Sequence, residues 1–259
     1  MLKYLVDRVP GFCMRKGRRR GYQEVIMEAK YRRVLLKVSG EALSKNGTGI
    51  DPEKLAAVAE EVKQLTDMNV QVGIVCGGGN FWRGRSSEKM DRATADQIGM
   101  LATCMNGLAL KDAFISAGLK AELMAAFNVS GICREFNVLE ARKLLGEGTV
   151  VIFTGGTGHP FFSTDTGAAL RAIEIQADVI LLAKNVDAVY DSDPAKNPNA
   201  RKYSRISHTE VLEKDLKVMD STAASLCRDN GMMIHVFGLA EPDAIIRACS
   251  GEEIGTIVY

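Results

Sequence analysis

The stretch Val34-Leu35-Leu36-Lys37-Val38-Ser39-Gly40 decides how the rest of the chain is read. Its first five residues are apolar apart from Lys37, so the run reads as a buried strand. It ends at Ser39-Gly40, a small-residue loop. A helix start comes next along the chain. Asp51 is placed as N-cap, Pro52 in the first turn and Glu53 near the positive end of the helix. Leu55, Val58, Val62 and Leu65 then recur at helical spacing and face a core.

The same alternation continues to the C-terminus. Further strands are expected at 70–75, 121–127, 149–154, 178–183 and 233–237, with a closing strand at 256–259. Helices are expected at 93–117, 164–176 and 221–229, the last stopped by Gly231. Asn137 with Glu140 resembles a capping box before a short helix, Ser207 with Glu210 caps another, and Pro242 opens the last one. Strands separated by helices imply an α/β fold with a largely parallel sheet covered on both faces. One domain is expected over residues 31–259. In such sheets ligands sit beyond the carboxyl ends of the strands, and the glycine clusters of this chain fall there.

Composition sets the bounds. The chain has 259 residues, 25% charged, with a formal net charge of +1. That balance carries no electrostatic signature of a nucleic-acid partner. No run of 18 apolar residues occurs, which speaks against a membrane span. The six cysteines are scattered without a CxxC pair and read as small buried hydrophobes in a reducing compartment. Residues 1–30 stand apart, with Arg15, Lys16, Arg18, Arg19 and Arg20 and little hydrophobic periodicity. They read as a disordered extension, or as upstream sequence before a true start at Met27, rather than as an RNA-binding arm.

The chemistry gathers in three places. Lys37 could reach phosphate oxygens where Gly40 lets the backbone come close. Gly77-Gly78-Gly79-Asn80 offers consecutive N–H groups without Cβ atoms, and Arg83 and Arg85 come shortly after as guanidinium partners for phosphate. The stretch from Thr154 to Asp165 joins a glycine turn, the pair Phe161-Phe162, the hydroxyls of Ser163 and Thr164, and Asp165 at a helix start. The helix start could hold a phosphate, the ring pair could wall a base, and Asp165 could cap the helix. His159 reads as a loop residue rather than an acid or base. No GxxxxGK[ST] and no GxGxxG opening a helix occurs, which disfavours a P-loop kinase and a dinucleotide dehydrogenase.

These residues resemble the bacterial UMP kinases of the amino acid kinase superfamily. The matching blocks are Leu36 to Leu43, Gly77 to Asn80 with Arg83-Gly84, and Asp96 with Gly99 to Thr103 and Met105 to Ala109. Thr157-Gly158, Pro160 to Phe162, Thr164-Asp165, Asn185 to Asp187, Val189-Tyr190, Asp193-Pro194 and Leu216 to Asp220 continue in family order. The resemblance implies a three-layer α/β/α sandwich and a cytoplasmic homohexamer that makes UDP from UMP and ATP in pyrimidine biosynthesis. It places Lys37, Val38, Ser39 and Gly40 on the ATP phosphates, with Gly79 and Arg83 beside them. Tyr190, Asp193 and either Lys184 or Asn185 would sit on the adenine nucleotide. Gly78, Asp96, Thr157, Gly158, His159, Pro160, Phe161, Phe162, Ser163 and Thr164 would enclose UMP.

The resemblance also implies a mechanism. Lys37 and Arg83 would neutralise the moving phosphoryl group, and Asp165 would orient Lys37. Mg²⁺ would ride on the ATP phosphates, with no protein ligand named. UTP is the expected inhibitor. GTP activation stays open, because the segment 44–50 is one residue shorter than in many relatives. A carboxylate or carbamate kinase of the same superfamily and a nucleotide sensor without turnover are the alternatives.

Overall fold

The computed structural model describes residues 28–82, 90–239 and 241–259. The basic stretch, the candidate start at Met27, and Arg83 and Arg85 lie outside the described residues. The chain begins with β1 (Arg33–Val38), a 3-10 turn (Gly40–Leu43), α1 (Pro52–Asp67), β2 (Gln71–Cys76) and α2 (Arg92–Ser116). Then come β3 (Ala121–Ala125), β4 (Arg134–Glu135), α3 (Val138–Gly146), β5 (Val150–Thr154), α4 (Thr164–Glu174) and β6 (Val179–Lys184). Three two-residue strands are next, β7 (Val189–Tyr190), β8 (Lys202–Tyr203) and β9 (Arg205–Ile206). The chain closes with α5 (His208–Glu213), α6 (Ser221–Asp229), β10 (Ile234–Gly238), α7 (Ala244–Cys249) and β11 (Thr256–Val258).

Nine strands form one sheet in the order β4-β3-β5-β2-β1-β6-β10-β11-β9. Its pairs are parallel except β10 with β11. The opening stretch explains the layering. Val34, Leu36 and Val38 pack into one apolar core with Val58, Val62, Leu110, Phe114 and Ile245, which puts α1, α2 and α7 on that face. Leu35 faces the other core with Leu145, Ala169, Ala172, Ala223 and Cys227, which puts α3, α4 and α6 there. A strand buried on both faces must be apolar at consecutive positions, and β5 and β6 repeat the pattern. The three-layer sandwich is thus as expected.

Several boundaries move. β3 stops at Ala125 rather than Phe127, and α4 stops at Glu174, before Gln176 adopts a positive φ of 57°. The last helix begins at Ala244, not at Pro242, because Asp243 takes φ 54° and does not cap it. Instead Glu61 of α1 accepts the Ile245 N–H at 2.9 Å. The capping box at Ser207 and Glu210 forms as expected, and Asp51 caps α1. α2 is long and apolar enough to span a membrane by length and composition; here its inner face packs on the sheet through Leu110 and Phe114. Cys76, Cys104, Cys227 and Cys249 are buried and unpaired, as the apolar reading expects, while Cys133 is half-buried.

Two buried histidines give the fold a pH dependence. His208 and His235 each donate from Nε2 to a carbonyl, of Met232 and Ile254 respectively. Burial pushes both imidazoles below the ordinary value of 6.5. The unfolded chain therefore binds more protons just below pH 6.5, and the stability held by the neutral rings is complete above that pH and lost as pH falls through it. Urea unfolding at pH 7.5 and 5.5 should give a lower midpoint at 5.5, and the slope should flatten in a His208→Gln/His235→Gln variant. An unaltered slope in that variant would refute the assignment.

Candidate active site

The site forms where four parallel strands end. β1 delivers Lys37 and Ser39, β2 the Gly77 to Asn80 loop, β5 the Gly155 to Thr164 loop and β6 Lys184. Lys37 Nζ lies 2.6 Å from Asp165 Oδ1, with 12% and 21% of the two side chains exposed. Asp165 stands in the first turn of α4. It is not the cap: Ser163 is, accepting the N–H groups of Asp165 at 3.0 Å and Thr166 at 3.2 Å. Asp165 is thereby left to hold Lys37.

The glycine loop is fixed by packing. A Cβ on Gly40 would lie 2.7 Å from Gly77 O and 2.9 Å from Gly79 N, so the two turns interlock without side chains. Behind them, Asn80 and Asn106 exchange amide hydrogen bonds at 2.9 and 2.8 Å. Asn106 also donates to Gly77 O, and Asn80 to Gly49 O, both at 2.7 Å. Both side chains are buried, and the network supplies most of their hydrogen-bonding capacity.

Two cavities open at this end of the sheet. The first, about 500 Å³, is walled by Gly78, Gly79, Asp96, Thr157, His159, Phe162, Ser163 and Thr164, all anticipated from sequence. Gly79, expected beside ATP, sits in this wall. Asp96 accepts from Arg92 Nε and from the Phe161 N–H, each at 2.8 Å, and so ties α2 to the loop across the cavity mouth. Phe161 itself is 66% exposed at φ 72°, outside the wall, with the Arg92 guanidinium 5.4 Å from its ring. Gly158 packs on Ala126 at φ 86°, and Gly158 and Pro160 contribute loop shape rather than lining. His159 is exposed, as a loop residue should be.

The second cavity, about 530 Å³, is walled by Lys184, Tyr190 and Asp193 together with Leu216, Lys217 and Val218. Lys184 lies in this wall and Asn185 does not. Lys184 Nζ donates to the carbonyls of Lys217, at 3.2 Å, and Val218. Burial lowers its pKa; Asp165 opposes that shift and Lys37 adds to it, so the three charges share one neighbourhood. Tyr190 Oη donates to Asp187 Oδ1 at 2.9 Å, which aims its ring. Val38, Ser39 and Gly40 continue from Lys37, and Ser39 accepts the Ala42 N–H at 3.2 Å. Among the described residues no three His, Cys, Asp or Glu side chains gather as a metal site.

Sequence reasoning gave no site role to Arg92, Gly99, Met100 and Thr103, which line the first cavity, although the last three stand in the family-matching blocks. With Asp96 they recur at intervals of three and four along α2, a helical stripe that could have announced them. It also passed over Trp82, whose indole nitrogen is buried without a hydrogen-bond partner, and the structural work of Asp220.

The chain matches the model of the amino acid kinase family over residues 32–238. It is 52% identical over 231 residues to the uridylate kinase of Haemophilus influenzae (strain 86-028NP), covering 88% of this chain and 98% of that one. Its fold is similar to the crystal structure of UMP kinase from Bacillus anthracis, with TM-score 0.85 and 38% identity over 88% of this chain and 96% of that one. UMP kinase from Ureaplasma parvum gives TM-score 0.83 and 39% identity over 88% and 99%. A lysine–carboxylate ion pair next along the chain from the first cavity wall, glycine loops in place of a P-loop, and these likenesses along most of the chain agree: the chain belongs to the amino acid kinase family and, within it, to the uridylate kinases.

Proposed function

We propose that the chain transfers the γ-phosphoryl group of ATP to UMP, with UMP in the first cavity, ATP in the second, and Lys37 between them. The observation that carries this reading is the ion pair of Lys37 with Asp165: Asp165 follows Thr164 of the first cavity wall, and both charges act on Lys184 of the second. A UMP phosphate oxygen is already anionic, so the attack needs no general base. What it needs is alignment and neutralisation of the moving group. Lys37 and Arg83 supply charge, Asp165 aims Lys37, and Lys184 adds a cation on the ATP side. The Gly78 to Asn80 turn presents N–H groups to phosphates, and the positive end of α4 adds its dipole. Asp96 and the 157–164 loop hold the nucleoside, and Tyr190 and Asp193 flank the adenine nucleotide. Mg²⁺ arrives on the ATP phosphates as part of the substrate.

On the same proposal the enzyme works as a cytoplasmic homohexamer in pyrimidine biosynthesis, inhibited by UTP, with GTP activation left open. Leu101, Met105 and Leu108 support self-association, since they leave an apolar row on the outer face of α2. The Asn80–Gly49 contact supports an effector route, since it joins the 44–50 segment to the phosphate loop. The deciding experiment measures ADP release with ATP, Mg²⁺ and each nucleoside monophosphate in turn. Strong turnover is expected with UMP and weak turnover with CMP or dTMP. No turnover with UMP by a folded, ATP-binding protein would refute the reading, and hydroxylamine trapping would then test for an acyl phosphate.

A further inference from the structure

Asp220 holds two helices by one carboxylate. It caps α6, accepting the Ala223 N–H at 3.0 Å. The same carboxylate reaches across to α4, where it accepts the hydroxyls of Ser163 and of Thr166, the latter at 3.1 Å. Two helix N-termini thus converge on one negative charge, an arrangement their dipoles favour. A residue that only capped α6 would need the Ala223 contact alone.

What Asp220 touches gives this geometry its meaning. Ser163 spends its hydroxyl proton on Asp220 and its lone pairs on the Asp165 and Thr166 N–H groups. The first turn of α4, with Thr164 in the first cavity wall and Asp165 on Lys37, is therefore braced from behind. On the other side, the chain leading into Asp220 forms part of the second cavity wall through Leu216, Lys217 and Val218. Lys184 clasps that chain by its carbonyls.

We infer that Asp220 is a positioning residue for phosphoryl transfer, acting through Ser163 to set the Lys37–Asp165 pair and through residues 216–218 to set the ATP-side wall against it. The inference rests on the assignment of UMP and ATP to the two cavities. Asn is as good an N-cap as Asp. Asp220→Asn therefore keeps α6 capped, but it replaces one oxygen with an amide that cannot accept the Ser163 proton.

The test compares wild type, Asp220→Asn, Ser163→Ala and the double variant by kcat, by KM for each substrate and by melting temperature. Trp82 is the single tryptophan and stands in the first cavity wall, so its fluorescence reads UMP binding independently of turnover. Asp220→Asn should melt near wild type and lose about 10-fold or more in kcat/KM for both substrates, as misplacement of a reacting group by a fraction of an ångström would cause. The double variant should be little worse than the poorer single one, because both break the same link. Kinetics within twofold of wild type would overturn the inference. So would losses that multiply in the double variant and track a fall in melting temperature. If the wild type itself neither binds nor phosphorylates UMP, the functional reading fails and takes this inference with it. An active wild type beside an unimpaired Asp220→Asn condemns the inference alone.

Discussion

Lys37→Ala is expected to lower UMP turnover by about 10²- to 10³-fold, the usual cost of removing one preorganised group that meets developing charge. The side chain is mostly buried, and its ammonium is 2.6 Å from Asp165. It is therefore aimed before substrate arrives, and no reorganisation is needed when charge moves onto the phosphoryl oxygens. Water entering the vacated space can solvate those oxygens but cannot be held at one point. Nucleotide binding should suffer less than chemistry, because glycine-loop N–H groups and the cavity walls remain. The measurement is kcat by coupled ADP release, with KM for both substrates and the melting temperature alongside. A variant that keeps more than a tenth of wild-type kcat would mean that Lys37 is not the group doing this work. Asp165→Asn should shift kcat in the same direction, since it frees the ammonium to wander.

Gly40→Ala is the second large effect, and it comes from packing alone. One methyl group would sit 2.4 Å from Asn80 Oδ1, 2.7 Å from Gly77 O and 2.9 Å from Gly79 N. All three belong to the phosphate loop, and that loop has nowhere to retreat. Asn80 is held by Asn106 and Gly49, and Gly77 by Asn106. Overpacking of this kind costs about 1–3 kcal/mol. A loop displaced by about 1 Å costs roughly 10²-fold in rate. Thermal unfolding and kcat/KM should both fall, and a variant with native melting temperature and activity would contradict the geometry.

How much of this was legible depended on where each signal is local. β1, β5 and β6 are apolar at consecutive positions because both faces are covered, so each announces itself over five or six residues. β4, β7, β8 and β9 are two residues long and carry no period to read. The start of α7 escapes a local reading because its cap is tertiary: Glu61 lies 184 residues away along the chain. In the site, the glycine loops were visible as glycines, whereas the pairing of Lys37 with Asp165 came from the family resemblance. No local rule joins residue 37 to residue 165. At the end of β6 Lys184 is half-buried in the second cavity wall and Asn185 is exposed, a difference that no local signal in the sequence carries. Asp220 entered the sequence reading only as the end of the Leu216 to Asp220 block, because its contacts with Ser163 and Thr166 cross between helices.

The amide pair behind the glycine loop divides the site into parts that answer differently to the medium. Asn80 and Asn106 carry no net charge and do not titrate, so neither acid nor counterions weaken the lock directly. The Lys37–Asp165 contact is ionic and partly open to solvent, so counterions screen it. High salt should thus loosen the aim of the cation that drives the transfer while the cradle for the phosphates keeps its shape, leaving an enzyme that still holds nucleotide while converting it more slowly.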